Sequence, residues 1–177
     1  MKKIIKITLI LVGFAFVHSC GTQSSQSTAI TKALIDSQQF TFHAQRANPT
    51  NMDVINAMNS MGTGGASRML NLDSGYTLEL RKDEMTVTLP YFGRMYNASM
   101  DTDRNSYRFD SKDFTVNKSA GRKGSSIFRI VPSDTKNVRQ IVMEVYNNGK
   151  TYVSVEADDR QAISYDGYIT ANTALKK

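Results

Sequence analysis

The feature that most restricts the fold of this chain is an alternation of apolar and polar residues, which runs almost without pause from residue 76 to residue 170. A period of two places alternate side chains on opposite faces of a β-strand. Short turn signals interrupt the alternation, among them Lys82-Asp83-Glu84 and Asn147-Asn148-Gly149. Asn-Gly readily supplies the positive φ that tight hairpins require. The pattern therefore predicts antiparallel strands that follow one another along the chain.

The predicted strands describe a mainly β fold with one N-terminal helix. A first strand is expected at Phe40 and Phe42, and later strands cover residues 76–80, 85–89, 107–110, 114–116, 127–131, 138–146, 152–156 and 162–170. The segments 107–110 and 114–116 are two short strands or one bent strand. About eight to ten strands joined by short turns predict an antiparallel meander that forms a closed or half-closed barrel or sandwich.

The segments around the first strand are less regular. A helix is predicted from about residue 28 to residue 37, because Ile30, Ala33 and Leu34 recur at one-face helical spacing. Residues 47–67 are rich in Asn, Met and Gly and predict a long loop with a helical turn near residues 53–59. Methionines in or beside that loop can bind soft metals. Without Cys or a well-spaced His beside them, loop packing or simple mobility is the interpretation that we favour.

Cys20 is the single cysteine of the chain, and it lies directly behind a leader typical of bacterial export. Three lysines occur within residues 1–6, and an apolar run covers residues 7–17 before Ser19. A membrane-spanning helix needs about 18 or more apolar residues, and ordinary cleavage prefers an A-x-A pattern. We therefore expect residues 1–19 to be removed and Cys20 to carry lipid, rather than ordinary cleavage or an uncleaved anchor.

Removal of the leader defines the expected domain organisation. Residues 20–27 would be the lipidated cysteine and a flexible tether, and residues 28–177 a single β-rich domain. The formal net charge falls from +6 to +3, because the leader takes three lysines with it. We expect no nucleic-acid partner for a chain of this modest charge. His43 would be the remaining histidine, and a regular strand would place it opposite Phe40 and Phe42, exposed to solvent.

Two segments resemble the hallmark stretches of a known family. They are residues 89–96, Leu-Pro-Tyr-Phe-Gly-Arg-Met-Tyr, and residues 160–169, Arg-Gln-Ala-Ile-Ser-Tyr-Asp-Gly-Tyr-Ile. From about residue 29 to residue 169 the chain is similar to domain-of-unknown-function family 4251, a set of small exported lipoproteins from Gram-negative bacteria. The resemblance implies the fold and an exported compartment. It brings no catalytic residues with it.

The hallmark stretches contain the candidate site residues. Pro90 withholds a backbone donor and Gly93 reaches conformations closed to other residues, so we expect the first stretch to end a strand and turn sharply. Arg160 and Asp166 are candidate polar partners in the second stretch. Both stretches could serve only to shape the fold; alternatively, they form a shared surface for a ligand or partner. That candidate surface consists of Tyr91, Arg94, Tyr96, Arg160, Tyr165 and Asp166.

Motifs for catalysis are absent from the sequence. The chain contains no nucleophile elbow, phosphate loop, zinc spacing or paired-carboxylate motif. Asp158 and Asp159 are adjacent, and neighbouring residues on a strand point to opposite faces. We therefore expect no enzyme activity, no catalytic residue, no metal site and no cofactor.

The expected function follows from the leader and the strand-rich domain. We expect a non-catalytic binding or structural module in the cell envelope, held on the outer membrane by lipid on Cys20 and facing the periplasm. Its expected partner is an envelope protein or a glycan. The first alternative is a carrier of a small apolar ligand in a barrel cavity. A weaker alternative is a hydrolase acting on an envelope polymer.

Overall fold

The computed structural model describes residues 22–62, 65–96 and 106–173. The predicted leader and Cys20 lie outside the described residues. The helices are α1 (Thr22–Ser37), α2 (Met52–Ser60) and α3 (Gly65–Leu70). The strands are β1 (Phe40–Pro49), β2 (Thr77–Leu80), β3 (Met85–Pro90), β4 (Ser106–Ser111), β5 (Phe114–Ala120), β6 (Ser126–Pro132), β7 (Val138–Val145), β8 (Lys150–Ala157) and β9 (Ile163–Thr170).

All nine strands belong to one antiparallel sheet that curves into a nearly closed barrel. Their order is β4-β3-β2-β1-β9-β8-β7-β6-β5, so each strand pairs with its sequence neighbours except at one place. The first strand, β1, pairs with the last, β9, through a register that includes Phe42 opposite Ile169. The prediction of an antiparallel meander forming a closed or half-closed barrel is confirmed.

The exception is the step from β4 to β5, which are consecutive in the chain and lie at the two edges of the sheet. Nine strands in one row are joined by eight antiparallel pairings, an even number, so β4 and β5 run in the same direction. Only Lys112 and Asp113 separate them. The two segments therefore form one bent strand, whose first half pairs with β3 and whose second half pairs with β6.

A carboxylate fixes the bend in this strand. Asp134, in the turn between β6 and β7, accepts hydrogen bonds from the Ser111 hydroxyl at 2.5 Å and from the Lys112 and Asp113 backbone N–H groups at 2.8 and 3.2 Å. The Ser111 hydrogen bond, followed by that from Lys112, lowers the pKa of Asp134. The Asp134 side chain thus stabilises the junction of β4 and β5, where the bent strand stops pairing with β3 and begins to pair with β6.

Large apolar side chains fill the interior of the barrel. They come from the inward-facing positions of the alternation, as the pattern predicted. The largest of those that are almost completely buried are Tyr165, Phe40, Phe42, Phe128, Leu78, Leu80, Met85, Leu89, Ile130, Ile141, Met143 and Ile163.

The helices lie at opposite ends of β1. Helix α1 precedes this strand and buries Ile35, while Lys118 on β5 donates to the Ile35 carbonyl at 3.2 Å and to Asp36 at 3.0 Å. Helix α1 begins at Thr22, earlier than predicted and within the segment expected to be a flexible tether. Its start is the main departure from the predicted N-terminal organisation.

The predicted loop of residues 47–67 is wrong in most of its length. Strand β1 continues to Pro49, and the helical turn expected near residues 53–59 is the complete helix α2, followed by α3. The Asn51 side chain caps α2 by accepting from the Asp53 backbone N–H at 2.8 Å. The Met58 side chain of α2 is buried, whereas Met52, Met61 and Met69 are exposed.

In the described part of the chain, no helix combines the length and the hydropathy needed to cross a membrane. Over residues 22–62, 65–96 and 106–173, no three His, Cys, Asp or Glu side chains converge as metal ligands would.

Candidate functional site

The two hallmark stretches lie side by side. The Gln161 backbone N–H donates to the Arg94 carbonyl at 3.0 Å, and the Tyr96 N–H donates to the Asp159 carbonyl at 2.9 Å. Between them, Met95 and Arg160 form an isolated antiparallel bridge. The turn after β3 is thus tied to the turn between β8 and β9.

Arg160 is the centre of a buried cluster that we call the hallmark corner, made of Tyr91, Tyr107, Asp159, Arg160 and Tyr165. Its side chain, only 5% exposed, forms a bidentate pair with Asp159 at 2.9 and 3.0 Å. The guanidinium carbon also lies 5.0 Å from the Tyr91 ring centroid and 4.9 Å from that of Tyr107. Arg160 therefore combines a charge-assisted pair with two cation–π contacts.

Two of the three tyrosine hydroxyls in the hallmark corner bind backbone carbonyls. Tyr165 donates to the Pro90 carbonyl at 2.7 Å, and the Tyr91 hydroxyl lies 2.9 Å from the Arg94 carbonyl and 3.1 Å from the Gln161 carbonyl. The Tyr91 ring lies over Gly93, where a Cβ would come within 2.4 Å of its hydroxyl oxygen. Gly93 is therefore required for space and not, as predicted, for a special backbone conformation, because its φ is not positive.

Burial changes the ionisation of these tyrosines. Desolvation raises the pKa of Tyr91 to about 12, although the nearby Arg160 charge opposes the shift. Desolvation also raises the pKa of Tyr107 and that of Tyr165 well above the usual value. The Tyr107 hydroxyl is buried and has no hydrogen-bond partner among the described residues. Burial thus favours the neutral form of the tyrosines in the corner.

The structure separates the predicted site residues into two groups. Tyr91, Arg160 and Tyr165 are buried, so they do not form a surface with the exposed Arg94 and Tyr96. Asp166 is exposed on the outer face of β9, away from the barrel interior. The predicted pairing of Arg160 with Asp166 is wrong, because Arg160 pairs with Asp159 while Asp166 accepts from the Asn48 amide at 2.7 Å.

Asp166 belongs to a different feature, which we call the tyrosine cleft. Three tyrosines line this open cleft of about 750 Å³ on the outer face of the sheet, together with Asp166 and a polar rim. They are Tyr146, Tyr152 and Tyr168, which are 37%, 40% and 39% exposed. The rim includes Gln45, Asn148 and Lys150.

Strand register brings the residues of the tyrosine cleft together. Tyr152 on β8 pairs directly with Asp166 on β9, and Lys150 pairs with Tyr168. The β1 register shifts between Ala44 and Arg46, which leaves Gln45 as the extra residue of a bulge at the cleft. Opposite the bulge, β1 and β9 approach so closely that a Cβ on Gly167 would lie 2.0 Å from the His43 carbonyl oxygen.

The polar groups of the cleft carry both signs of charge. Asp166 and Lys150 are formally opposite and both exposed. Just outside, Glu144 accepts from the Ser125 hydroxyl at 2.6 Å. Partial burial and then the Glu144 carboxylate, to which Tyr146 is hydrogen-bonded, raise the pKa of Tyr146. The cleft therefore combines aromatic rings with hydrogen-bonding groups and has little net charge.

His43 lies beside the cleft but is not as exposed as predicted. Its ring stacks on Tyr168 with centroids 5.1 Å apart and planes at 18°, and its Nε2 lies 2.9 Å from the Thr170 hydroxyl. These contacts leave His43 half-buried. The stacking contact with His43 fixes the position of the Tyr168 ring at one side of the cleft.

Sequence reasoning missed the tyrosine cleft, although a signal for it existed. In residues 151–156, Tyr152 has the same phase as Ser154 and Glu156, which marks the outward face. In residues 163–170, Tyr168 likewise shares its phase with Asp166. Aromatic residues at outward positions of neighbouring strands indicate an exposed aromatic surface.

Comparison with known proteins gives a family and a related fold. The family model described as "Domain of unknown function (DUF4251)" matches residues 22–169. The chain is also similar to the crystal structure of a DUF4251 family protein from Bacteroides eggerthii DSM 20697, with a TM-score of 0.51, 11% identity, and coverage of 84% of this chain and 89% of that chain. No curated protein matches the chain.

Proposed function

Because the chain belongs to the DUF4251 family, whose description names no activity, we propose its function from its own residues: it is a non-catalytic binding module of the cell envelope. In this proposal the leader is removed, lipid on Cys20 anchors the chain to the outer membrane, and the barrel faces the periplasm. Two or three acyl chains would make that attachment effectively permanent, because each buried methylene contributes about 0.8 kcal/mol.

The tyrosine cleft is the observation that carries the binding part of this proposal. Tyr146, Tyr152 and Tyr168 each expose more than a third of their surface; Tyr152 and Tyr168 lie on the paired strands β8 and β9, and Tyr146 directly follows β7. Tyrosine is enriched in binding interfaces, since it offers a large contact area at a low cost in conformational entropy. The volume of about 750 Å³ falls within the range of small-ligand sites, about 300–1,000 Å³.

The two alternatives have less structural support. A carrier of an apolar ligand needs a cavity inside the barrel, and inward-facing side chains such as Phe40, Phe42 and Tyr165 occupy that space. A hydrolase needs convergent carboxylates near Arg94. Asp159, the carboxylate of the adjoining hallmark corner, is paired with Arg160. We therefore place function on the outer face.

Metabolic labelling tests the anchoring part of the proposal. Cells expressing the full chain are grown with a labelled fatty acid, and we expect label on the wild type and none on Cys20→Ala. Fractionation should recover the labelled chain with the outer membrane, and added protease should digest it only after the outer membrane is permeabilised. A mature wild-type chain that is free of lipid would refute the anchoring.

Capture from the cell's own envelope tests the binding part. The full-length wild type and a variant combining Tyr152→Ala with Tyr168→Ala are cross-linked in cells, purified and analysed for bound proteins and glycans by mass spectrometry. Tyr96→Ala is the matched control, because Tyr96 is 65% exposed and lies outside the cleft. We expect the double variant alone to lose its partner. Equal capture by all three proteins would refute the cleft as the binding site.

A further inference from the structure

We propose that the tyrosine cleft binds a neutral oligosaccharide built of flat, equatorially linked sugar rings. This inference rests on the proposed function, because it names the ligand class of the same cleft. The ring faces, the hydrogen-bonding groups and the charge balance of the cleft each support it.

The aromatic rings provide the first argument. The face of a tyrosine ring is the negative part of its quadrupole. A flat sugar ring presents a face of weakly positive C–H groups, which suits stacking on such a surface. Tyr152 and Tyr168 stand on adjacent strands in diagonal positions, since Tyr152 pairs with Asp166, two residues before Tyr168. Diagonal neighbours on a sheet lie about 7–8 Å apart, so the two rings can contact successive parts of one extended chain.

The polar groups provide the second argument. A sugar that stacks through its C–H face keeps its hydroxyls at the ring edge, where they need acceptors and donors. Asp166 is an acceptor beside both tyrosines, directly opposite Tyr152 and two residues before Tyr168, and hydroxyl–carboxylate hydrogen bonds are among the stronger ones in proteins. Gln45 and Asn148 on the rim offer both an acceptor and donors. Planar polar side chains around aromatic rings thus match both surfaces of a sugar.

The charge balance provides the third argument. Lys150 and Asp166 carry opposite charges and line the same cleft. A polyanionic ligand would meet the Asp166 carboxylate, with Glu144 close behind it, and a polycation would meet Lys150. An apolar ligand would leave the carboxylate and the rim amides desolvated and unpaired, which is costly. A neutral polyhydroxylated ligand avoids all three penalties.

Nuclear magnetic resonance of ring-labelled tyrosine can test the inference on the full-length protein. The protein is purified in a detergent without a sugar headgroup, so that the detergent does not compete. The chain contains eight tyrosines and no tryptophan, which gives a small set of ring signals. Cellotetraose and tri-N-acetylchitotriose are titrated to about 10 mM, a range that detects the weak, millimolar end of binding.

We expect the ring signals of Tyr152 and Tyr168 to shift on addition of at least one probe, while those of Tyr96 and Tyr165 stay in place. Tyr152→Ala should weaken binding about tenfold, equivalent to about 1.4 kcal/mol. Tyr152→Phe, which keeps the ring face, should retain binding to within about threefold. Tyr96→Ala should leave the affinity unchanged, and its melting curve beside that of Tyr152→Ala controls for folding.

The outcomes separate this inference from the proposed function. If neither probe shifts the cleft tyrosines, the saccharide inference is overturned, whereas loss of envelope capture in the Tyr152 and Tyr168 double variant would still support a binding module. An unchanged affinity for the probe in a folded Tyr152→Ala protein would also overturn the inference. Probe binding that requires the cleft supports both.

Discussion

The hallmark corner and the tyrosine cleft each contain three tyrosines, and they differ in the side of the sheet on which those tyrosines lie. Tyr91, Tyr107 and Tyr165 in the corner are at most 6% exposed. Those of the cleft face solvent on β8, β9 and the end of β7. The tyrosine side chains of the hallmark corner are therefore buried in the fold, whereas the exposed aromatic surface lies mostly outside the two hallmark stretches.

The comparison shows how one residue type serves two purposes. In the corner, the hydroxyls of Tyr91 and Tyr165 donate to the backbone carbonyls of Arg94 and Pro90, so the aromatic rings contribute burial and the hydroxyls bond to the backbone. In the cleft, the rings remain available to a ligand. Substitutions in the corner should lower stability, and substitutions in the cleft should lower binding.

The largest expected effect is that of Arg160→Ala. Removal of the guanidinium leaves the Asp159 carboxylate partly buried without its bidentate partner and two tyrosine rings without their cation. We expect the free energy of unfolding to fall by about 3–5 kcal/mol, as for other broken buried pairs, measured by urea denaturation followed by circular dichroism. Arg94→Ala, in the other hallmark stretch, is the control and should change stability by less than about 0.5 kcal/mol. Equal effects of the two variants would contradict the assignment of Arg160 to the core.

Tyr165→Phe should have the next largest effect. The substitution keeps the ring and leaves the buried Pro90 carbonyl without its donor at 2.7 Å. An unsatisfied buried acceptor costs about 1–3 kcal/mol, which a urea midpoint resolves. Tyr168→Phe on the same strand is the control, because Tyr168 is exposed, and it should be neutral within about 0.5 kcal/mol. A neutral Tyr165→Phe would show that water replaces the hydroxyl.

Alkaline pH should reveal the buried state of Tyr91. Its pKa is about 12 in the folded chain against 10.0 as the ordinary value, so the unfolded chain loses this proton first. The stability that Tyr91 contributes is complete below pH 10 and is lost as the pH rises from about 10 to 12, at about 1.4 kcal/mol per pH unit. Tyr91→Phe should reduce the slope of stability against pH in that window. An unchanged slope would mean that Tyr91 ionises normally in the folded protein.

The smallest expected effect on stability is that of Tyr152→Ala. The residue is on the outer face of β8, where cross-strand contacts contribute roughly 0.2–1 kcal/mol. Thermal melting should therefore shift little, although we expect this variant to bind the saccharide about tenfold more weakly. A large drop in melting temperature would mean that the cleft, like the corner, serves the fold.

Most of the sheet could be predicted from the sequence because strand signals are local. The alternation on either side of Lys82-Asp83-Glu84 predicted strands β2 and β3, and in the structure they form a hairpin in which Leu78 pairs with Val87. Helix α2 was missed in part because its Asn51 cap lies within an Asn-rich segment, where one capping residue does not stand out. That β4 and β5 form one bent strand depends on the pairing of β1 with β9, which no local pattern reveals.

The tyrosine cleft was harder to predict, because it too depends on strand pairing that no local pattern reveals. Tyr146, Tyr152 and Tyr168 come from three parts of the sequence and meet only through strand register. The hallmark residues were recognisable in sequence, but their burial was not. Arg160 is charged yet buried, because Asp159 and two tyrosine rings take the place of water around its guanidinium group.

The pairing of β1 with β9 also determines when the chain can complete its fold. Strand β1 leaves the ribosome long before one of its two partners, the eight-residue strand Ile163–Thr170. Until that strand is made, β1 and β8 each keep an unpaired edge, and contacts so distant in sequence form slowly. A nascent chain of this protein therefore cannot close its barrel until β9 has been synthesised.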